Sequence, residues 1–210
     1  MKCIVCREYS AFIFKIIESK KYWKCENCLA KFLDKKYFLT TKEEKNHYLL
    51  HQNIVKDKKY RNFLSRLTIP LKQKLSISNK GLDFGCGHGP ALADIFIKEG
   101  FEIKLYDPFF FPNKNILKQK FDFITCSETV EHFHNPYEEF NLINRLLNSR
   151  GWLGVMTCFS TNDNLFEKWH YRRDPTHVVF YNEETFKVIA KARNWNYEII
   201  KKDIVLFYKN

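Results

Sequence analysis

The chain has 210 residues, enough for one ordinary domain and a small appendage. Its 45% hydrophobic and 17% aromatic content excludes a disordered or collagen-like chain. No window approaches the roughly 18 uninterrupted apolar residues of a membrane helix, and Met1-Lys2-Cys3 opens no signal-peptide core, so a cytoplasmic globular protein without membrane contact is expected.

The net charge of +11 is unevenly spread. Residues 1–80 hold 19 Lys and Arg against 7 Asp and Glu, whereas residues 81–210 hold 16 against 17. A basic N-terminal stretch suits a polyanion contact through residues 1–80. Because 27 of the 35 basic residues are lysine, a gene composition favouring lysine codons explains the excess equally well.

Four of the seven cysteines fall at Cys3-x-x-Cys6 and Cys25-x-x-Cys28, while Cys86, Cys126 and Cys158 are scattered. Each pair can place two thiolates on one tetrahedral ion, and zinc favours four sulfurs at about 2.3 Å. Without an export signal, disulfides explain the spacing less well, and an iron-sulfur cluster or redox pair is the lesser alternative. Between the pairs, Phe12, Phe14 and Ile16 alternate with Ile13 and Lys15, and Tyr22-Trp23-Lys24 comes next, which reads as an antiparallel ribbon. A unit of about 35 residues buries too little surface to fold alone, so a structural metal with no open coordination position is expected over residues 1–38.

Residues 39–80 read as a basic helical connector. Thr41 and Glu44 fit a capping box, and Tyr60, Phe63, Leu64, Leu67, Leu71 and Leu75 follow a helical stripe interrupted at Pro70. Lys56, Lys58, Lys59, Arg61, Arg66, Lys72 and Lys74 flank that stripe as a solvated face or as a phosphate-binding ridge. Ser76 to Lys80 serves as a linker.

Residues 81–90 read GLDFGCGHGP, a short apolar strand running into a glycine turn and then a helix with Leu92, Ile95 and Phe96 on one face and Gly100 at its end. Such a turn brings backbone amides close to a ligand. A second strand, Glu102 to Tyr106, ends at Asp107, where a carboxylate can accept ribose hydroxyls. The third glycine comes one residue early for a dinucleotide fingerprint, which disfavours an NAD-dependent dehydrogenase.

Asp83 followed by Gly85-x-Gly87-x-Gly89 resembles the first motif of class I S-adenosylmethionine-dependent methyltransferases. Phe121 to Cys126 resembles their fourth strand, and Ser127-Glu128-Thr129-Val130-Glu131-His132-Phe133 is similar to the E-x-x-E-H stretch of the quinone-methylase-like branch. With the cysteine pairs, the layout resembles a bacterial set of such methyltransferases carrying an N-terminal zinc ribbon, a likeness that supplies no substrate. It implies a Rossmann-like doubly wound α/β sheet over residues 81–210, ending in an antiparallel hairpin (Tyr197–Ile200 with Val205–Tyr208). Asn135-Pro136 should open a helix with Glu138 at a capping position and Phe140, Ile143, Leu146 and Leu147 inward, ended by Gly151. Trp152 to Phe159 should be a buried strand, and Asn182 should cap a helix with Phe186, Ile189 and Ala190 inward. Only thirteen residues separate Asp107 from Phe121, too few for helix, strand and helix, so the sheet should be truncated on its third-strand side. Pro108-Phe109-Phe110 is either an apolar wall for adenine or plain core.

By the same resemblance, Asp83, Gly85, Cys86 and Gly87 contact the methionine part of S-adenosylmethionine, Asp107 the ribose, and Ser127 or Glu128 the floor beneath the sulfonium. Glu131, His132 and His134 come next, at the sheet's carboxyl edge, each either functional or a structural hydrogen-bonding group. Trp169-His170-Tyr171-Arg172-Arg173-Asp174-Pro175-Thr176-His177 reads as a substrate lid, with His177 the first candidate base, His170 the second, and the arginines binding a polar or anionic acceptor. The alternative is an ion-paired loop.

Two functions fit. One is methyl transfer to a small molecule, RNA or protein. The other is a non-catalytic zinc-ribbon protein whose methyltransferase-like fold only recognises nucleic acid or protein.

Overall fold

Strand alternation and glycine punctuation divide the chain into two sheets, seen in a computed structural model that describes residues 1–50 and 54–210. The first sheet begins with β1 (Ala11–Ile17) and β2 (Lys20–Cys25), an antiparallel hairpin. Glu18 and Ser19 form its turn in left-handed backbone (φ 51° and 62°), the geometry whose twist matches two flanking strands. β3 (Lys31–Leu33) pairs with β2 on one side and, on the other, with β8 (Val179–Phe180) from far along the chain. The ribbon therefore completes its sheet with a strand from the C-terminal part.

Two helices come after the ribbon. α1 (Thr41–Tyr48) starts one residue earlier than the capping-box expectation, because Thr40, not Thr41, is the cap and Glu43, not Glu44, returns the bond. The exchange frees Glu44, which is the buried residue of that helix. α2 (Lys58–Lys72) runs through Pro70, which falls in the last turn, and buries Leu64, Leu67 and Leu71. The expected helical connector is thus made of two helices, and its residues 51–53 lie outside the described residues.

The second sheet runs β5-β4-β6-β7-β10-β9. β4 (Lys80–Phe84), β5 (Glu102–Tyr106), β6 (Phe121–Ser127) and β7 (Leu147–Met156) are parallel, and β10 (Ile204–Lys209) pairs antiparallel with β7 and with β9 (Trp195–Lys201). β5 is an edge strand, so the sheet is truncated where the short Asp107–Phe121 segment predicts it. The fold class is the expected one, a doubly wound α/β sheet closed by an antiparallel hairpin.

Side chains alternate across this sheet. Leu153, Val155, Val205 and Phe207 face one core with Phe140 and Ile143 of α4 (Pro136–Leu146) and Phe186 and Ile189 of α5 (Glu183–Lys191). Met156, Ile204 and Leu206 face the other, with α2 and with Leu92 and Phe96 of α3 (Ala91–Lys98). Cys3, Cys25, Cys28 and Phe32 of the ribbon belong to the first of these cores.

Leu147 is not the last apolar position of α4, as expected, but the first residue of β7, paired with Phe121. Gly151 lies inside that strand instead of ending the helix, and Glu138 bonds Arg7 instead of capping. Asn182 caps α5 as expected, accepting from the Thr185 amide at 2.9 Å.

Candidate active site

The carboxyl ends of β4, β5 and β6 open into one cavity of about 680 Å³. The glycine turn forms one wall because Gly85 and Gly87 hold positive φ (76° and 63°). A Cβ at Gly85 would lie 2.2 Å from Thr129 Cγ2, so a larger residue cannot sit there without moving the loop after β6. Asp107 locks this turn from β5. Its Oδ2 accepts the Gly87 amide at 3.0 Å, and its Oδ1 accepts the amides of Phe109 and Phe110 at 2.8 and 3.0 Å.

Asp83 lies buried beneath the turn. Burial pushes its carboxyl up to about 7, the Thr125 hydroxyl that donates to Oδ1 at 2.8 Å holds it down, and the charge of Asp107 raises it again. Cys86 lines the cavity with its thiol pushed up by burial, a poor nucleophile. Ser127 and Glu128 lie at the end of β6. Ser127 Oγ is buried without a hydrogen-bond partner among the described residues. Glu128 occupies left-handed backbone (φ 48°), uncommon for a non-glycine, and burial followed by the charge of Glu131 pushes its carboxyl up to about 9.

Glu131 and His132 sit in a single 3-10 turn after β6, with Glu131 completely buried. The Tyr171 hydroxyl donates to Glu131 Oε1 and is also 3.0 Å from the Thr157 hydroxyl. His177 packs over Tyr171, its ring 4.2 Å away, with Nδ1 at 2.7 Å from the Tyr171 carbonyl. Burial lowers its pKa, which leaves the ring neutral near pH 7. His132 Nδ1 is 3.1 Å from the Thr176 carbonyl, and the two imidazole rings stand 4.7 Å apart.

The expected lid divides. His170, Tyr171, Asp174 and His177 line the cavity. Trp169, Arg172 and Arg173 do not. Trp169 packs on Phe166 and Phe180, and Arg172 is buried with its guanidinium donating to the Glu167 carbonyl and the Tyr22 hydroxyl. Arg172 thus ties the loop to the ribbon. Pro108, Phe109 and Phe110 line the cavity, and Tyr106 stands beside them.

Sequence reasoning missed the wall supplied by the connector. Glu44 and Tyr48 of α1 and Tyr60 of α2 face the cavity, with Glu44 Oε1 2.8 Å from His134 Nε2 and the Tyr48 ring 5.5 Å from that of Phe109. One signal was available: a helix of mostly polar residues with no apolar stripe has to bury something other than a core face.

The four N-terminal cysteine sulfurs form a separate centre, all within 4.8 Å of one another. Cys3 Sγ stands 3.7 Å from Cys28 Sγ and Cys6 Sγ 3.6 Å from Cys25 Sγ. Four sulfurs at about 2.3 Å around a tetrahedral ion are about 3.8 Å apart, so the cluster has the size of a four-thiolate metal site.

An open, doubly wound sheet with a glycine turn and an acidic partner at its carboxyl edge defines the class of nucleotide-cofactor folds, and the closing antiparallel hairpin narrows it. The chain belongs to the methyltransferase domain family, whose model matches residues 55–199. Among solved structures it is similar to a SAM-dependent methyltransferase from Archaeoglobus fulgidus, at 17% identity and TM-score 0.55 over 71% of this chain and 94% of that one. It is also similar to the PH0226 protein of Pyrococcus horikoshii OT3, at 13% identity and TM-score 0.51 over 78% and 98%. These likenesses concern the fold. No curated protein matches the chain. No helix among the described residues is long and apolar enough to cross a membrane.

Proposed function

We propose that the protein transfers a methyl group from S-adenosylmethionine to an acceptor bound in the cavity beneath α1. The observation that carries this reading is the acidic floor and wall around the glycine turn. Asp83, Asp107 and Glu128 surround it, two of them with carboxyls raised chiefly by burial, and a bound sulfonium would favour their charged forms. The Asp107 carboxylate, with three amides on two oxygens, keeps lone-pair capacity for a ribose hydroxyl. The Ser127 hydroxyl, without a hydrogen-bond partner among the described residues, fits a polar group of the cofactor, and Phe109 and Phe110 offer an apolar face for its base.

Transfer from a sulfonium is an in-line displacement. The acceptor's lone pair forms the new bond to carbon as the sulfur–carbon bond breaks, and S-adenosylhomocysteine leaves. The protein's work is to align the groups and exclude water. An acceptor that loses a proton passes it to a wall histidine: His177 and His132 are turned toward Glu131, and His170 stands at the rim. The four-cysteine cluster fits structural zinc, which leaves no coordination position for chemistry. The same reading divides the chain at residues 38 and 80 and gives residues 1–80 a polyanion contact.

Calorimetric titration with S-adenosylmethionine tests it, saturable binding being expected and no binding overturning it. Incubation with methyl-labelled cofactor and fractionated cell extract then shows whether label enters RNA, protein or the small-molecule pool. Binding without transfer to any fraction favours the non-catalytic alternative.

A further inference from the structure

We propose that Glu131, His132 and His177 form a binding site for one divalent first-row transition-metal cation in the wall of the cavity. The two His Nε2 atoms each lie 4.0 Å from Glu131 Oε1, and one ligand atom from each of the three residues falls within 4.8 Å of the others. Ligands about 2.1 Å from a shared cation stand about 3.0 to 4.2 Å apart, depending on the angle between them, so small side-chain movements close this set around an ion.

The hydrogen bonds select the atoms. Each Nδ1 faces a backbone carbonyl, Thr176 O for His132 and Tyr171 O for His177, and a carbonyl only accepts. Nδ1 therefore carries a proton, which leaves Nε2, the nitrogen turned toward the carboxyl group, as the ligand atom of each ring. That is the arrangement of metal-bound histidines, whose second nitrogen donates to a carbonyl or carboxylate. Tyr171 engages Glu131 Oε1, while Glu131 Oε2 has no hydrogen-bond partner among the described residues although the side chain is fully buried. A buried carboxylate oxygen without a partner calls for a cation. Two imidazoles and a carboxylate suit borderline divalent ions, unlike the all-sulfur centre in the ribbon.

With the ion bound, His132 and His177 serve as ligands and His170 is the histidine left to take a proton. Because His132 and His177 line the cavity, an acceptor oxygen such as a hydroxyl bound there could reach the ion. That last role rests on the methyl-transfer reading; the site itself does not.

The test is titration with Mn2+, which thiolates bind poorly, of the full chain carrying one equivalent of zinc in its cysteine cluster, read by calorimetry and by the paramagnetic signal of free Mn2+. One Mn2+ per chain is expected, with affinity at least tenfold weaker in Glu131→Gln and His177→Gln. Absence of saturable Mn2+ binding, or equal affinity in both variants, overturns the site. Should these variants lose their thermal transition, His132→Gln, whose side chain is 17% exposed, gives the same readout: tenfold weakening supports the site and unchanged affinity overturns it. A parallel titration of the unaltered chain with S-adenosylmethionine separates the two ideas. Mn2+ binding without cofactor binding keeps the site and removes the methyl-transfer reading, and cofactor binding without Mn2+ does the reverse.

Discussion

At the scale of single residues, the cavity is set by side chains whose charge is held back. Glu128 and Asp83 have carboxyls raised to about 9 and about 7, chiefly by burial. A cationic ligand favours their ionised forms, so binding releases protons, and affinity rises with pH while either group is still protonated. S-adenosylmethionine affinity should therefore increase between about pH 6 and pH 9 and level off above, with proton release measured by calorimetry in buffers of different ionisation enthalpy. An affinity independent of pH over that range would show that these carboxyls do not face the sulfonium. Gly85 is a second decisive residue. Gly85→Ala combines strained backbone with a Cβ 2.2 Å from Thr129, and it should cost about 1–3 kcal/mol in thermal or denaturant unfolding and abolish cofactor binding.

At the scale of elements, the joints between ribbon and sheet are specific hydrogen bonds. Asn182 caps α5 and also donates from Nδ2 to the Leu29 carbonyl at 3.3 Å, and the Thr185 hydroxyl donates to the Cys28 carbonyl at 2.8 Å. Asn182→Ala should cost about 1–2 kcal/mol as a lost cap. Thr185→Val should leave α5 folded yet speed release of zinc from the cysteine cluster to a chromophoric chelator, since the second knuckle loses its tether. α5 was legible in the sequence because period and cap agreed there, and α2 through its apolar period alone. The shift of the capping box to Thr40 was not, because Thr40 and Thr41 each have a glutamate three residues on, and the choice depended on burying Glu44 against His134. Leu147 was misassigned for a related reason: its place in β7 is set by pairing with Phe121, which local periodicity cannot see.

At the scale of the whole molecule, the basic N-terminal portion meets acidic groups of its own chain. Arg61 pairs with Asp94, Arg66 with Asp203, Lys72 with Glu99 and Lys74 with Glu198, while Lys24 and Lys31 share Asp163. Four of the seven residues of the expected phosphate-binding ridge are thus spent on docking α2 and the turn after it against residues 81–210, so a polyanion would have to use lysines outside these pairs. The ribbon, for its part, shares a core and a sheet with the C-terminal portion. Removing metal from the cysteine cluster, by strong chelation or by Cys25→Ser, should therefore lower a single cooperative unfolding transition in scanning calorimetry instead of producing a separate early one. Two resolved transitions would show that the ribbon unfolds independently.

By itself the sequence determined the parts that depend on local spacing. These are the four-cysteine pattern, the glycine turn with Asp83 and Asp107, the truncated edge at β5 and the closing hairpin, since each comes from short-range periodicity or from a count of residues. Only the tertiary structure decided what these parts meet. It turned Arg172 away from the cavity and onto the ribbon, brought Glu44 and Tyr48 over the cavity, and set Nε2 of His132 and of His177 toward the buried carboxyl group of Glu131. Apart from the sequence neighbours Glu131 and His132, those contacts join residues about 44 to 150 positions apart in the chain, and their direction is set by packing and hydrogen-bond satisfaction across the fold, which no window of sequence contains.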